Sequence, residues 1–79
     1  MQVDAIMEKV REVTIENVSL ASRQEGLRNM FRAAAMLHNE QEMDEMRLAM
    51  HACTDAILDN EVTICMYSRQ LVSQGWTGQ

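Results

Sequence analysis

The C-terminal half of the chain carries apolar side chains at alternating intervals of three and four residues. Such spacing places a stripe along one face of an α-helix, and a stripe of this length is typical of a packing seam between helices. The positions are Met43, Met46, Met50, Cys53, Ile57, Asn60, Ile64, Tyr67, Leu71 and Gln74. Only Asn60 and Gln74 interrupt the apolar stripe. The pattern predicts one long helix over residues 40–74.

The N-terminal half repeats the same spacing and predicts a second amphipathic helix over residues 3–37. Its stripe consists of Val3, Ile6, Val10, Val13, Asn17, Leu20, Gln24, Leu27, Phe31 and Ala34. One alternative stays open here. The sequence SRQE at residues 22–25 is a capping-box signature and Gly26 follows it, so this half could instead be two shorter helices divided near Ser22. The stripe keeps its phase through this stretch, which favours a continuous or bent helix.

A turn is predicted at residues 38–40, between the two stripes. Asn39 tolerates the left-handed backbone conformation that ends a helix, and it can also cap the next helix with Glu42 completing a capping box. Folding the chain back at this point makes the two stripes face each other in opposite directions. The sequence therefore predicts an antiparallel hairpin.

In the register set by that turn, Asn17 and Asn60 face each other inside an otherwise apolar seam. Two amides can satisfy each other there, whereas one amide opposite a hydrocarbon would be left unpaired at a cost of about 1–3 kcal/mol. A buried Asn pair of this kind fixes the register of two helices and lowers their stability. We interpret Asn17 and Asn60 as a register pair.

The predicted fold is a single all-α domain of 79 residues, with the two helices, the turn and a short tail over residues 75–79. A chain of this size buries only about 60% of the surface that it exposes when unfolded, so a lone hairpin is marginally stable. We therefore expect the hairpin to form a homodimer, in the manner of a four-helix bundle.

The second helix has a further stripe on the side away from the seam, with apolar residues concentrated in its C-terminal part. A helix that is apolar on two sides is normally covered on two sides. The surface is predicted to contact either a second copy or a different protein, and its residues are Leu48, His51, Leu58, Val62, Cys65, Met66, Arg69 and Val72. In the tail, Trp76 is a candidate for packing against Val3 and Ile6 or for contacting a partner.

Composition and charge narrow the function classes. The net charge of −5 opposes non-specific binding to nucleic acid. No catalytic, metal or cofactor site is predicted, because His51 and Cys53 point some 200° apart on a helix and no Cys-x-x-Cys or Glu-x-x-His element occurs. The stretch with Arg23, Arg28 and Arg32 keeps RNA binding by a hairpin dimer as a third hypothesis, on architectural analogy alone.

The preferred interpretation is a non-enzymatic protein-interaction module that acts as a regulator, inhibitor or adaptor. The alternative is a structural subunit of a homo-oligomer or larger assembly. The first ten residues include an acid at position 4 and no long apolar run, so we expect a cytoplasmic protein without a secretory signal or membrane span. Cys53 and Cys65 lie about 18 Å apart along one predicted helix, and we expect both to be reduced, buried thiols.

Overall fold

A computed structural model describes residues 2–75 of the chain as two long antiparallel helices. Helix α1 spans Val3–Met36 and helix α2 spans Glu40–Ser73. They pack along their lengths into a rod of 56 × 16 × 15 Å. The predicted all-α helical hairpin is confirmed, while its dimerisation remains a prediction. Each helix ends one residue before the predicted boundary, at Met36 and Ser73.

Helix α1 is continuous through the stretch where the sequence left a break open. Gly26 lies inside the helix, and a Cβ added to it would meet no heavy atom within 4 Å. Glu25 does not act as the last residue of a capping box, because its Oε2 accepts a hydrogen bond from Arg28 Nη1 at 2.9 Å. The SRQE sequence therefore lies inside one continuous helix, with Gln24 half-buried at the seam.

The turn combines a helix stop with a helix start. His38 has a φ of 55°, the left-handed conformation, and its N–H donates to Ala35 O while that of Asn39 donates to Ala34 O at 2.9 Å. This is the Schellman pattern of a helix C-terminus, with His38 in the position usually taken by glycine. Asn39 then caps α2, since its Oδ1 accepts from the Glu42 N–H at 3.2 Å.

The core contains few buried side chains, because two helices alone cannot cover the residues between them on every side. Among the described residues, five apolar side chains are buried, and all of them lie on the predicted stripes: Ile6, Val13, Ala34, Cys53 and Leu71. Ile6 alone is fully enclosed, with 0% of its surface exposed. The remaining apolar seam residues, such as Leu20 and Ile57, are half-buried. Each of these residues keeps part of its surface open along a flank of the hairpin.

Candidate functional site: the outer face of the second helix

Two polar layers between the helices, one at Asn17 and one at Gln24, mark the position of α2 against α1. Asn60 Nδ2 donates to Asn17 Oδ1 at 2.9 Å, and Asn17 Nδ2 donates to the Ile57 carbonyl at 3.4 Å. Two turns along α1, Gln24 Nε2 donates to Thr54 Oγ1 at 2.6 Å. The sequence analysis missed the contact between Gln24 and Thr54, because Thr54 lies beside the seam stripe of α2 and not on it. Together with the buried seam residues Cys53 and Leu71, these bonds show which side of α2 faces α1 and which side faces away.

The side that faces away carries a line of large apolar side chains, which we call the outer stripe. It consists of Leu48, His51, Asp55, Leu58, Val62, Cys65, Met66, Arg69 and Val72. Its large apolar members are between 53% and 71% exposed, Leu58 being the least and Leu48 the most. His51, Cys65 and Arg69 are exposed as well. The surface predicted from the sequence is therefore uncovered in the single hairpin.

Helical geometry explains why α1 leaves this stripe open. Val62 is two residues from both Asn60 and Ile64, which face α1, so it points about 200° away from each of them. Around Val62 the stripe forms a shallow groove, with Glu61 and Arg69 as its charged lining residues. The rest of that lining is apolar or thiol: Leu58, Val62, Cys65 and Met66. Such a surface is typical of a protein contact.

A smaller apolar patch on α1 escaped the sequence analysis. Ile15 and Val18 lie one turn apart on the outside of α1 and are 63% and 67% exposed. They are surrounded in sequence by polar residues and follow no sustained 3-4 pattern, so only the exposure of the folded chain singles them out. At the turn end, Met36 and Leu37 are also largely exposed.

The thiols differ from each other. Cys53 is buried in the seam, as expected, but the expectation of a buried thiol is wrong for Cys65, which is exposed. The reason is phase: Cys65 belongs to the outer stripe, where the single hairpin provides no covering element. His51 is likewise exposed on the outer stripe, on the side of α2 away from Cys53.

The basic stretch of α1 is partly occupied by local partners. Arg28 pairs with Glu25 at 2.9 Å, and Arg32 Nη1 donates to Asn29 Oδ1 at 3.5 Å. Both contacts lie on the exposed surface within one helical turn. RNA binding through Arg23, Arg28 and Arg32 remains an untested hypothesis.

Three further predictions concern the C-terminal tail, metal binding and membrane spans. Trp76 lies outside the described residues. Within residues 2–75, no group of three or more His, Cys, Asp or Glu side chains is arranged to hold a metal ion. Neither α1 nor α2 combines the length and apolar character that crossing a bilayer requires.

The chain matches no protein-family model, no curated protein and no solved structure.

Proposed function

We propose that this chain is a non-enzymatic helical protein-interaction module that acts as a regulator, inhibitor or adaptor. It binds another protein chain through the outer stripe of α2. The hairpin serves as a rigid support on which α1 holds the seam side of α2 and leaves the opposite side free for binding.

The observation that carries this proposal is the exposure of Leu58, Val62 and Met66 in one groove. Contiguous exposed apolar surface is uncommon on soluble monomers and marks interaction sites. A helix face with anchors at these spacings fits a groove or a second helix on a partner. Met66 suits this role because its side chain adapts to the shape of a partner.

The open flanks of the seam favour a second candidate, a structural subunit of a homo-oligomer or larger assembly. Half-buried residues such as Leu20, Ile57 and Ile64 gain burial if another element covers the flank. In that case the chain loses its assembly and its fold together when the covering contact is removed. A regulator instead keeps its fold when its binding stripe is changed.

A pull-down of binding proteins from the native host tests the proposal. A tagged chain is used as bait, and the captured proteins are compared between the parent, Leu58→Asp and Ile15→Asp. The two variants place the same charge on exposed apolar positions of α2 and α1, so Ile15→Asp is the matched control. We expect Leu58→Asp alone to abolish capture of a defined protein, with helicity by circular dichroism unchanged. Capture that survives Leu58→Asp would refute the outer stripe as the binding surface.

A further inference from the structure

The outer stripe of α2 is complementary to itself when two copies run in opposite directions. One antiparallel register sets each large apolar residue at a layer position of the stripe opposite another apolar residue. It places Leu48 opposite the partner's Val72 and Leu58 opposite the partner's Val62, and two-fold symmetry repeats both layers. The remaining positions then match polar with polar or thiol: His51 opposite the partner's Arg69, and Asp55 opposite the partner's Cys65.

The charges within the stripe favour the antiparallel direction, and the like-charge contacts of that direction, Asp59 and Glu61 each beside its own copy, lie at the flanks of the interface. In a parallel pair each residue meets its own copy, so Asp55 faces the partner's Asp55 and Arg69 faces the partner's Arg69, and both contacts are repulsive. In the antiparallel register Asp55 lies one helical turn from the partner's Arg69, within reach of an ion pair. Within one chain the two residues are about 21 Å apart along the helix, so they cannot pair there. Their charges are complementary only between copies.

Charge also selects the register. Sliding the two copies by one heptad in one direction sets Arg69 opposite the partner's Leu58, and sliding them in the other direction sets Asp55 opposite that leucine. Each shift places a charged side chain opposite a leucine, at a desolvation cost, and also takes Leu48 away from the partner's Val72. The register with Leu58 against the partner's Val62 avoids both conflicts.

We propose that the chain seated on the outer stripe is a second copy of this protein, in a symmetric antiparallel dimer. The two α2 helices lie at its centre, the two α1 helices lie outside, and an Asp55–Arg69 pair forms on each side of the two-fold axis. The inference rests on the proposed function in taking the outer stripe as a protein-binding surface, and it names the partner. The α1 patch of Ile15 and Val18 stays exposed in the dimer.

Charge reversal tests the pairing. The solution molar mass of the parent is expected to be twice the 9.0 kDa of one chain across the micromolar range. Asp55→Arg and Arg69→Asp should each raise the dissociation constant of the dimer about tenfold or more, because symmetry makes every substitution count twice. The double variant Asp55→Arg/Arg69→Asp should restore the dimer. A monomeric parent, or a double variant no stronger than the single ones, would overturn the proposal.

Cross-linking tests the direction independently of the charges. Leu48→Cys and Val72→Cys are made separately in a Cys65→Ser background, tagged differently, mixed, and treated with a short bis-maleimide. The antiparallel dimer predicts cross-links between the two different chains only. Cross-links between identical chains would show a parallel dimer, and no cross-link in a dimer would show another interface, so either result refutes the register.

These outcomes separate the inference from the proposed function. A monomeric parent whose capture of another protein depends on Leu58 refutes self-association and supports the interaction module. A dimer with the predicted cross-links, together with capture that ignores Leu58, supports the self-association and refutes the outer stripe as the surface for other proteins.

Discussion

The amide pair in the seam should show a measurable energetic coupling. Asn60→Ala removes the 2.9 Å bond to Asn17 Oδ1, and Asn17→Ala removes that bond together with the longer one to the Ile57 carbonyl. Both sites are only part-buried, so water replaces some of the lost bonding and the expected coupling is near the usual net value, about 1 kcal/mol. Each alanine also gains about 0.5 kcal/mol of helix propensity, and this gain cancels in a double-mutant cycle.

The assay is urea unfolding followed by circular dichroism on the parent, the two single variants and the double variant. A chain of this length has a total stability of roughly 4–12 kcal/mol, so a coupling of about 1 kcal/mol is large enough to measure. All four proteins are compared at one concentration, because self-association makes apparent stability depend on concentration. Effects that add within about 0.3 kcal/mol would refute the reasoning that the amides stabilise each other.

Three further changes probe the seam, the thiols and the turn. Ile6→Ala should lower the unfolding free energy by about 2–5 kcal/mol, because its side chain is fully enclosed, whereas Ile15→Ala should change it by less than about 0.5 kcal/mol; equal effects in urea unfolding would contradict the core assignment. In folded protein diluted below the concentration at which it dimerises, a thiol reagent should modify Cys65 at once and Cys53 only on unfolding, as peptide mapping would report, and early labelling of Cys53 would contradict its burial. Asn39→Ala should lower the thermal midpoint, at a cost of about 1 kcal/mol, and an unchanged midpoint would show that the cap contributes nothing.

Much of the fold was predictable because helix packing leaves a periodic record in the sequence. The two stripes specified the helices, their direction and the facing of Asn17 and Asn60, since a 3-4 spacing leaves one contact face per helix. The turn was predictable in kind but not in detail. Asn39 had two candidate roles, and the structure divides them: His38 takes the left-handed conformation, and Asn39 becomes the cap. Histidine and asparagine are both enriched at positive φ among residues other than glycine, so residue type alone does not choose between His38 and Asn39.

The candidate site was predictable only in part, because periodicity reports where apolar residues point and not what covers them. The sequence identified the outer stripe through Leu58, Val62 and Val72, yet the expectation of a buried thiol at Cys65 is wrong for the hairpin, where this thiol is exposed. Isolated positions such as Ile15 leave no periodic signal and emerge only from the folded surface.

The polar contacts of Asn17 and Gln24 divide the apolar seam of the hairpin into two segments, which we call compartments. Ile6, Val13 and Leu71 lie toward the open end, while Ala34 lies by the turn. Local opening that starts at the open end can therefore separate one compartment without disturbing the other. Amide hydrogen exchange should then record two protection levels along each helix, with the change of level near the amide layer. Two such levels would mean that the open end separates while the turn half stays paired.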